Sequence, residues 1–172
     1  MKITAVLMTM GIAVTLQLGL ARYTVGGQWI FDIVLVGVVF AALNWGPVAG
    51  MLAGSAGGLA QDLFSNDVVG TGGLVKTIVG FAVGTLGAQF VVVRPTARVA
   101  LLAGASVLHR MLLIGLFALI DQRWPPISGT AILGETMLNS VGGLIAFQLG
   151  ESLPGMVSRR SGRRSGLRRR EW

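Results

Sequence analysis

The chain is built almost entirely from apolar runs that are long enough to cross a lipid bilayer, and four ionisable residues lie inside these runs or at their ends. These residues are Asp62, Lys76, Arg110 and Glu135. A charged side chain in hydrocarbon costs a few kcal/mol even on lenient insertion scales, so such residues must be paired or serve a function. The sequence therefore predicts an all-α integral membrane protein whose buried charges are informative.

Composition agrees with this class and limits the chemistry. Hydrophobic residues make up 53% of the chain and charged residues 12%, a balance that a water-soluble domain of this size can hardly keep in solution. There is no cysteine, which excludes disulfides, thiolate catalysis and cysteine-ligated metals, and the one histidine, His109, cannot form a multi-histidine site. Of the fourteen basic residues, seven lie between Arg159 and Arg170. We attribute this cluster to the positive-inside bias rather than to nucleic-acid binding.

The apolar runs predict a compact bundle of about six transmembrane helices, because roughly 20 helical residues cross a hydrocarbon layer of about 30 Å. The second and third runs are short and nearly continuous, so they could instead form one broken or tilted pair around Asn44, Gly46 and Pro47. Residues 1–152 form the predicted transmembrane domain, and 153–172 a basic, disordered cytoplasmic tail. The predicted helices span 3–21, 30–44, 46–63, 71–93, 97–120 and 129–151.

The orientation follows from the basic residues. The first run resembles a secretory signal, but it is long and lacks a clear small-residue cleavage site, so we interpret it as a retained helix. Cleavage would leave five spans, with the tail still inside. Six spans place both termini in the cytoplasm, with Lys2, Arg94 and Arg98 inside and Arg22 and Arg123 outside. The arginine tail is expected to contact anionic lipid, and docking of a cytoplasmic partner is the alternative.

Small residues recur at helical spacing on two of the predicted spans. They are Gly46, Gly50, Gly54 and Gly58 on the third, and Gly80, Gly84 and Gly87 on the fourth. Glycine ridges let helix backbones approach closely in lipid. We favour packing within one subunit, and a groove for a partner's transmembrane helix is the alternative.

The four intramembrane charges fall at similar depth in the outer half of the predicted bundle, so we expect one polar cluster or two ion pairs. Asp62 and Lys76 flank one short loop, and pairing them costs little chain entropy. Lys76 reaching the membrane surface is the alternative. Consecutive helical residues point about 100° apart, so His109 is expected to face away from the partner of Arg110 and to pack rather than relay protons.

Other polar residues are candidates for hydrogen bonds between helices. No nucleophile with a base, phosphate-binding glycine loop or metal-ligand spacing is present, so the sequence predicts neither catalysis nor a cofactor. The candidate hydrogen-bonding residues are Asp32, Asn139, Gln17, Gln61, Gln89 and Gln148.

The segment Gly50–Gly84 resembles the central signature of the MreD family of bacterial rod-shape-determining membrane proteins. The similar blocks are Gly-Leu-x-x-Asp-Leu at 58–63, Gly-x-Gly-Gly-Leu at 70–74 and Lys-Thr-x-x-Gly-Phe at 76–81. Asp32 and the Glu135–Asn139 spacing also fit. The total length, the number of spans and the apolar N-terminus agree as well, so the resemblance covers the chain to about Glu151. The arginine tail departs from the family's usual short end.

The resemblance implies a non-enzymatic scaffold in the bacterial cytoplasmic membrane that binds MreC, a periplasmic coiled-coil protein. Such a scaffold helps to organise the peptidoglycan elongation machinery, which includes MreB filaments, the RodA glycosyltransferase and a class B transpeptidase. The family also resembles the substrate-binding subunits of energy-coupling-factor transporters. The alternative is therefore a carrier subunit with an outer-facing pocket lined by Asp62, Lys76, Arg110 and Glu135. A membrane-embedded enzyme ranks last.

Overall fold

The computed structural model is helical throughout the residues that it describes, and it contains no strand there. This confirms the all-α class. The predicted helix ends at 21, 30 and 90–93 lie outside the described residues, as does the tail 153–172. The described ranges are 2–20, 31–64, 68–89, 95–121 and 129–152. The helices are α1 (Lys2–Leu20), α2 (Ile33–Trp45), α3 (Pro47–Phe64), α4 (Thr71–Gln89), α5 (Pro95–Asp121) and α6 (Gly129–Ser152).

A glycine–proline step separates α2 from α3. Gly46 adopts φ = +96°, a conformation that residues with a Cβ rarely take, and its N–H donates to the Ala42 carbonyl at 2.9 Å to end α2. Pro47 then begins α3, where its missing N–H costs nothing. A Cβ on Gly46 would meet no atom within 4 Å. Gly46 therefore forms the turn before α3 and is not a position of that helix, while its main chain lies against Gly84, where a Cβ would come within 3.0 Å of it.

Three glycines of α3 pack directly on the backbone of α4. A Cβ on Gly50, Gly54 or Gly58 would collide with main-chain atoms of α4, so the two helices touch backbone to backbone, whereas a Cβ on Gly57 would meet side chains of α1 and α2. Gly84 is held in the same way against Pro47. The ridge thus serves packing within the subunit. The facing pairs are Gly50 with Gly80, Gly54 with Lys76, and Gly58 with Gly73.

Helix α2 lies at the centre of the bundle and contacts all five other helices. Leu35 and Val39 pack with Val79, Leu102 and Phe147 in an apolar core formed with α4, α5 and α6. A second core joins the other side of α2 to α1 and α3. Since α2 is enclosed on several sides, polar groups at its first turn lie inside the bundle.

The bundle exposes many large apolar side chains and buries several ionisable ones beside its apolar cores, a combination that is unusual for a protein in water. Large apolar side chains are exposed on α1, α3, α4, α5 and α6, for example Met8, Phe64, Leu119 and Met137. Within the described residues, the stretches Thr71–Gln89 and Thr96–Ile120 are helices long and apolar enough to cross a membrane. The buried polar residues include Gln17, Asp32, Asp62, Lys76, Arg98, His109, Glu135 and Asn139.

Candidate functional site

The site begins at the first turn of α2, where Asp32 is the N-cap. Its carboxylate accepts a hydrogen bond from the Leu35 N–H at 2.9 Å, which satisfies one of the free amides of the helix end. The backbone N–H of Asp32 donates to Asn139 Oδ1 on α6 at 2.9 Å, and Asn139 Nδ2 donates to the Ser106 hydroxyl on α5 at 3.1 Å. Asn139 is fully buried. These bonds join α2, α5 and α6 at one level.

Gln17 performs a similar task between α1 and α2. Its amide nitrogen donates to the Phe31 carbonyl at 3.0 Å, and its amide oxygen accepts from the Ile33 N–H at 2.8 Å. The two bonds satisfy main-chain groups just before and at the start of α2. Gln89 and Gln148, by contrast, are exposed.

Lys76 forms a buried ion pair with Asp32. Lys76 Nζ lies 2.8 Å from Asp32 Oδ2, and the two side chains are 3% and 8% exposed. Because Gly54 presses on the main chain of Lys76, the start of α4 is held close to α3 while the Lys76 side chain extends to α2. The expectation that Lys76 pairs with Asp62 or reaches the membrane surface is therefore wrong.

Asp62 instead caps α4 from the neighbouring helix. Asp62 Oδ2 accepts hydrogen bonds from the Gly70 N–H at 2.9 Å and the Gly73 N–H at 3.1 Å. Gly70 immediately precedes α4 and Gly73 lies in its first turn, and the partial positive charge of this helix end favours a carboxylate. The short connection that suggested an Asp62–Lys76 pair brings Asp62 to the helix end, more than one turn before Lys76.

Removal of the Asp62 carboxylate tests this capping role. Asp62→Ala leaves the Gly70 and Gly73 amides without their acceptor, so we expect the free energy of unfolding to fall by about 1–2 kcal/mol. Ser55→Ala on the same helix is the matched control, since the Ser55 hydroxyl donates to its own helix at Leu52. Thermal unfolding of both variants in detergent measures the difference. Equal melting temperatures for the two would contradict a capping role.

His109 is the residue that the sequence placed wrongly. Its Nε2 lies 3.3 Å from Lys76 Nζ, and its Nδ1 lies 3.9 Å from Glu135 Oε1. An ammonium group only donates, so Nε2 is the acceptor and the imidazole proton is on Nδ1, facing Glu135. Arg110 Nη1 lies 3.6 Å from the other oxygen of Glu135. His109 therefore does not face away, because one carboxylate lies between two consecutive side chains of α5.

One sequence signal could have indicated His109. Within the apolar run 101–120, Ser106 and His109 are three residues apart and share a helix face with Leu102 and Leu113. Ser106 and His109 are buried in the bundle. Periodicity of polar residues on α5 would thus have placed His109 inside.

The ionisable residues surround a cavity of about 160 Å³. All four charges that the sequence singled out line it. Glu135 Oε2 and His109 Nδ1 are buried there, and neither has a hydrogen-bond partner within the described part of the chain. The described residues contain no group of three or more His, Cys, Asp or Glu suited to a metal ion. The ionisable lining residues are Asp32, Asp62, Lys76, His109, Arg110 and Glu135.

Comparison with known proteins finds no matching family model, curated protein or solved structure. The resemblance to the MreD family, with the fold and partners that it implies, stays a prediction that depends on the sequence blocks quoted above.

Proposed function

We propose that this chain is a non-enzymatic, multi-pass scaffold of the bacterial cytoplasmic membrane that acts in the cell-elongation complex. The observation that supports it most is the exposure of large apolar side chains together with the burial of ionisable ones. Asp32 and Lys76 are paired inside, while Met8, Leu119 and Met137 are exposed. In water these exposed side chains would favour aggregation, whereas in lipid they face a matching solvent.

The proposed partner is an MreC-like protein with a single membrane helix and a periplasmic coiled coil. The glycine ridge of α3 is occupied by α4, so we expect such a helix to pack on another apolar face of the bundle. Assembly with RodA and a class B transpeptidase, directly or through the partner, would link the scaffold to peptidoglycan synthesis and cell shape. The basic residues beyond 158 would contact anionic lipid on the cytoplasmic side.

Single-cysteine labelling tests the membrane topology without background, because the chain contains no cysteine. We expect a membrane-impermeant maleimide to label Asn66→Cys in intact spheroplasts, and to label Arg94→Cys only after the membrane is permeabilised. The prediction follows from the positive-inside distribution of basic residues. Labelling of both positions from the same side would contradict six spans with cytoplasmic termini.

Copurification tests the scaffold role. A tagged chain extracted from bacterial membranes in mild detergent is expected to retain an MreC-like protein at near-equal amounts, whereas an unrelated tagged membrane protein of similar size should not. Deletion of 153–172 is a second arm, and loss of insertion or of the complex would show that the tail contributes. Repeated failure to recover the partner from cross-linked membranes would count against the scaffold.

A second candidate is a substrate-binding subunit of a small-molecule transporter. The observation that favours it is the polar cavity, which brings together the four residues that the sequence assigned to such a pocket: Asp62, Lys76, Arg110 and Glu135. A carrier subunit should show a ligand-dependent rise in melting temperature.

A further inference from the structure

The cavity carries more negative than positive charge. Three carboxylates line it, those of Asp32, Asp62 and Glu135, while Lys76 and Arg110 supply two cations. His109 adds no charge, because the neighbouring ammonium of Lys76 requires Nε2 to be an acceptor. One negative charge therefore lacks a cation among the lining residues. An excess of buried negative charge is costly, so a cation from outside the chain would stabilise the site.

Among the three carboxylates, Glu135 has the least satisfied oxygen. Asp32 has its ion pair with Lys76, and Asp62 has the two amides of α4. Glu135 Oε2 forms an ion pair with Arg110 Nη1 at 3.6 Å, but this oxygen has no hydrogen bond within the described residues. The Glu135 and His109 side chains are 7% and 4% exposed. An unsatisfied, more than nine-tenths buried carboxylate thus lines the cavity beside an imidazole N–H that also lacks a partner.

The dimensions of the cavity suit a small organic molecule. A volume of about 160 Å³ holds about five water molecules, or one organic group of similar size. Leu113 and Phe117 form an apolar wall, and Arg110, whose side chain is 30% exposed, lies at the more open side. A bare metal ion fits less well, since the described residues offer no suitable group of ligands.

We propose that this cavity binds a primary ammonium group whose N–H donors reach Glu135 Oε2, with a neighbouring oxygen that accepts from His109 Nδ1–H. A 2-aminoethanol unit has this pattern, either as a free amine or as the headgroup of phosphatidylethanolamine. The inference goes beyond the scaffold role and supplies a ligand class for the carrier alternative. Failure to recover an MreC-like partner would leave it unaffected.

The test uses the full chain in phosphatidylcholine nanodiscs, titrated with ethanolamine hydrochloride in a calorimeter. We expect saturable binding that weakens at least tenfold in Glu135→Gln, which keeps the shape and removes the charge, and that is unchanged in Ser55→Ala. Choline has the same charge without N–H donors, and ethylene glycol lacks the charge. Both are expected to bind wild-type protein at least tenfold more weakly than ethanolamine, a comparison that does not depend on how any variant folds.

A second arm distinguishes the two sources of the ammonium group. In nanodiscs that contain phosphatidylethanolamine, a fall in the apparent affinity for free ethanolamine, or retention of that lipid by wild type but not by Glu135→Gln in native mass spectrometry, identifies the headgroup as the occupant. Unchanged affinity identifies a soluble amine. The proposal is overturned if choline binds as tightly as ethanolamine, or if neither free ethanolamine nor the lipid is bound selectively, in which case the cavity holds only water.

Discussion

Replacement of Lys76 by methionine is expected to lower the free energy of unfolding by about 3–5 kcal/mol, the largest effect of any single change in the bundle. Methionine has a similar length and a good helix propensity, so the fall in the free energy of unfolding reports the removal of the positive charge. Without the Lys76 ammonium, the Asp32 carboxylate stays buried with its negative charge uncompensated, and His109 Nε2 loses its donor. Unfolding in detergent, followed by circular dichroism, measures the effect.

The double variant Asp32→Asn with Lys76→Met tests whether the stability lost in Lys76→Met comes from the unpaired charge of Asp32. Asparagine still caps α2, so the double variant should recover most of the stability that the single variant loses. Ile78→Met on α4 is the control for the new side chain, because Ile78 is exposed and should change little. A double variant as unstable as Lys76→Met alone would show that the ion pair is not what Lys76 contributes.

Gly54→Ala is expected to cost about 3 kcal/mol, which lies at the upper end for overpacked sites. The new methyl group would meet the carbonyl of Lys76 and come within 2.6 Å of the Thr77 nitrogen. These are main-chain atoms of a helix and cannot move aside singly, so α3 and α4 must separate. Separation would also weaken the other glycine contacts along the same ridge.

Gly104→Ala on α5 is the matched control for this substitution. Both glycines lie within helices, but a Cβ at Gly104 meets nothing within 4 Å. Alanine there should leave stability unchanged or raise it by up to about 1 kcal/mol through helix propensity. Thermal unfolding of the two variants in the same detergent compares them. Similar melting temperatures would contradict close contact of α3 with α4.

Local sequence was sufficient to locate the helices. Apolar runs ended by Gly, Pro and polar residues predicted all six helices, and the predicted ends that fall within the described residues differ from the observed ones by at most two residues. The local sequence also indicated Asp32, Asn139 and Glu135 as candidate site residues, since polar groups in apolar helices must find partners inside the bundle. The break at Gly46 and Pro47, left open from the sequence, is a turn between two separate helices.

The hydrogen-bond and ion-pair partners of the buried polar side chains could not be predicted in the same way. Sequence proximity favoured Asp62 with Lys76, yet a helix N-terminus competes for the carboxylate and takes it. The angle of about 100° between consecutive residues of α5 led to the prediction that His109 faces away from the partner of Arg110. Glu135 nevertheless lies between the two side chains and is near both. In each case the deciding group comes from another helix or from the main chain, about which residue spacing carries no information.

The sequence by itself determined the all-α class of this protein, the positions of its helices and the set of polar side chains that need partners, because these depend on hydropathy and on local backbone preference. The tertiary structure alone decided that Lys76 belongs to Asp32, that Asp62 caps α4, and that Glu135 and His109 lack hydrogen-bond partners beside a cavity. Those outcomes depend on how closely the helix backbones approach. The glycines of α3 and the central position of α2 set that distance, and with it which charges meet.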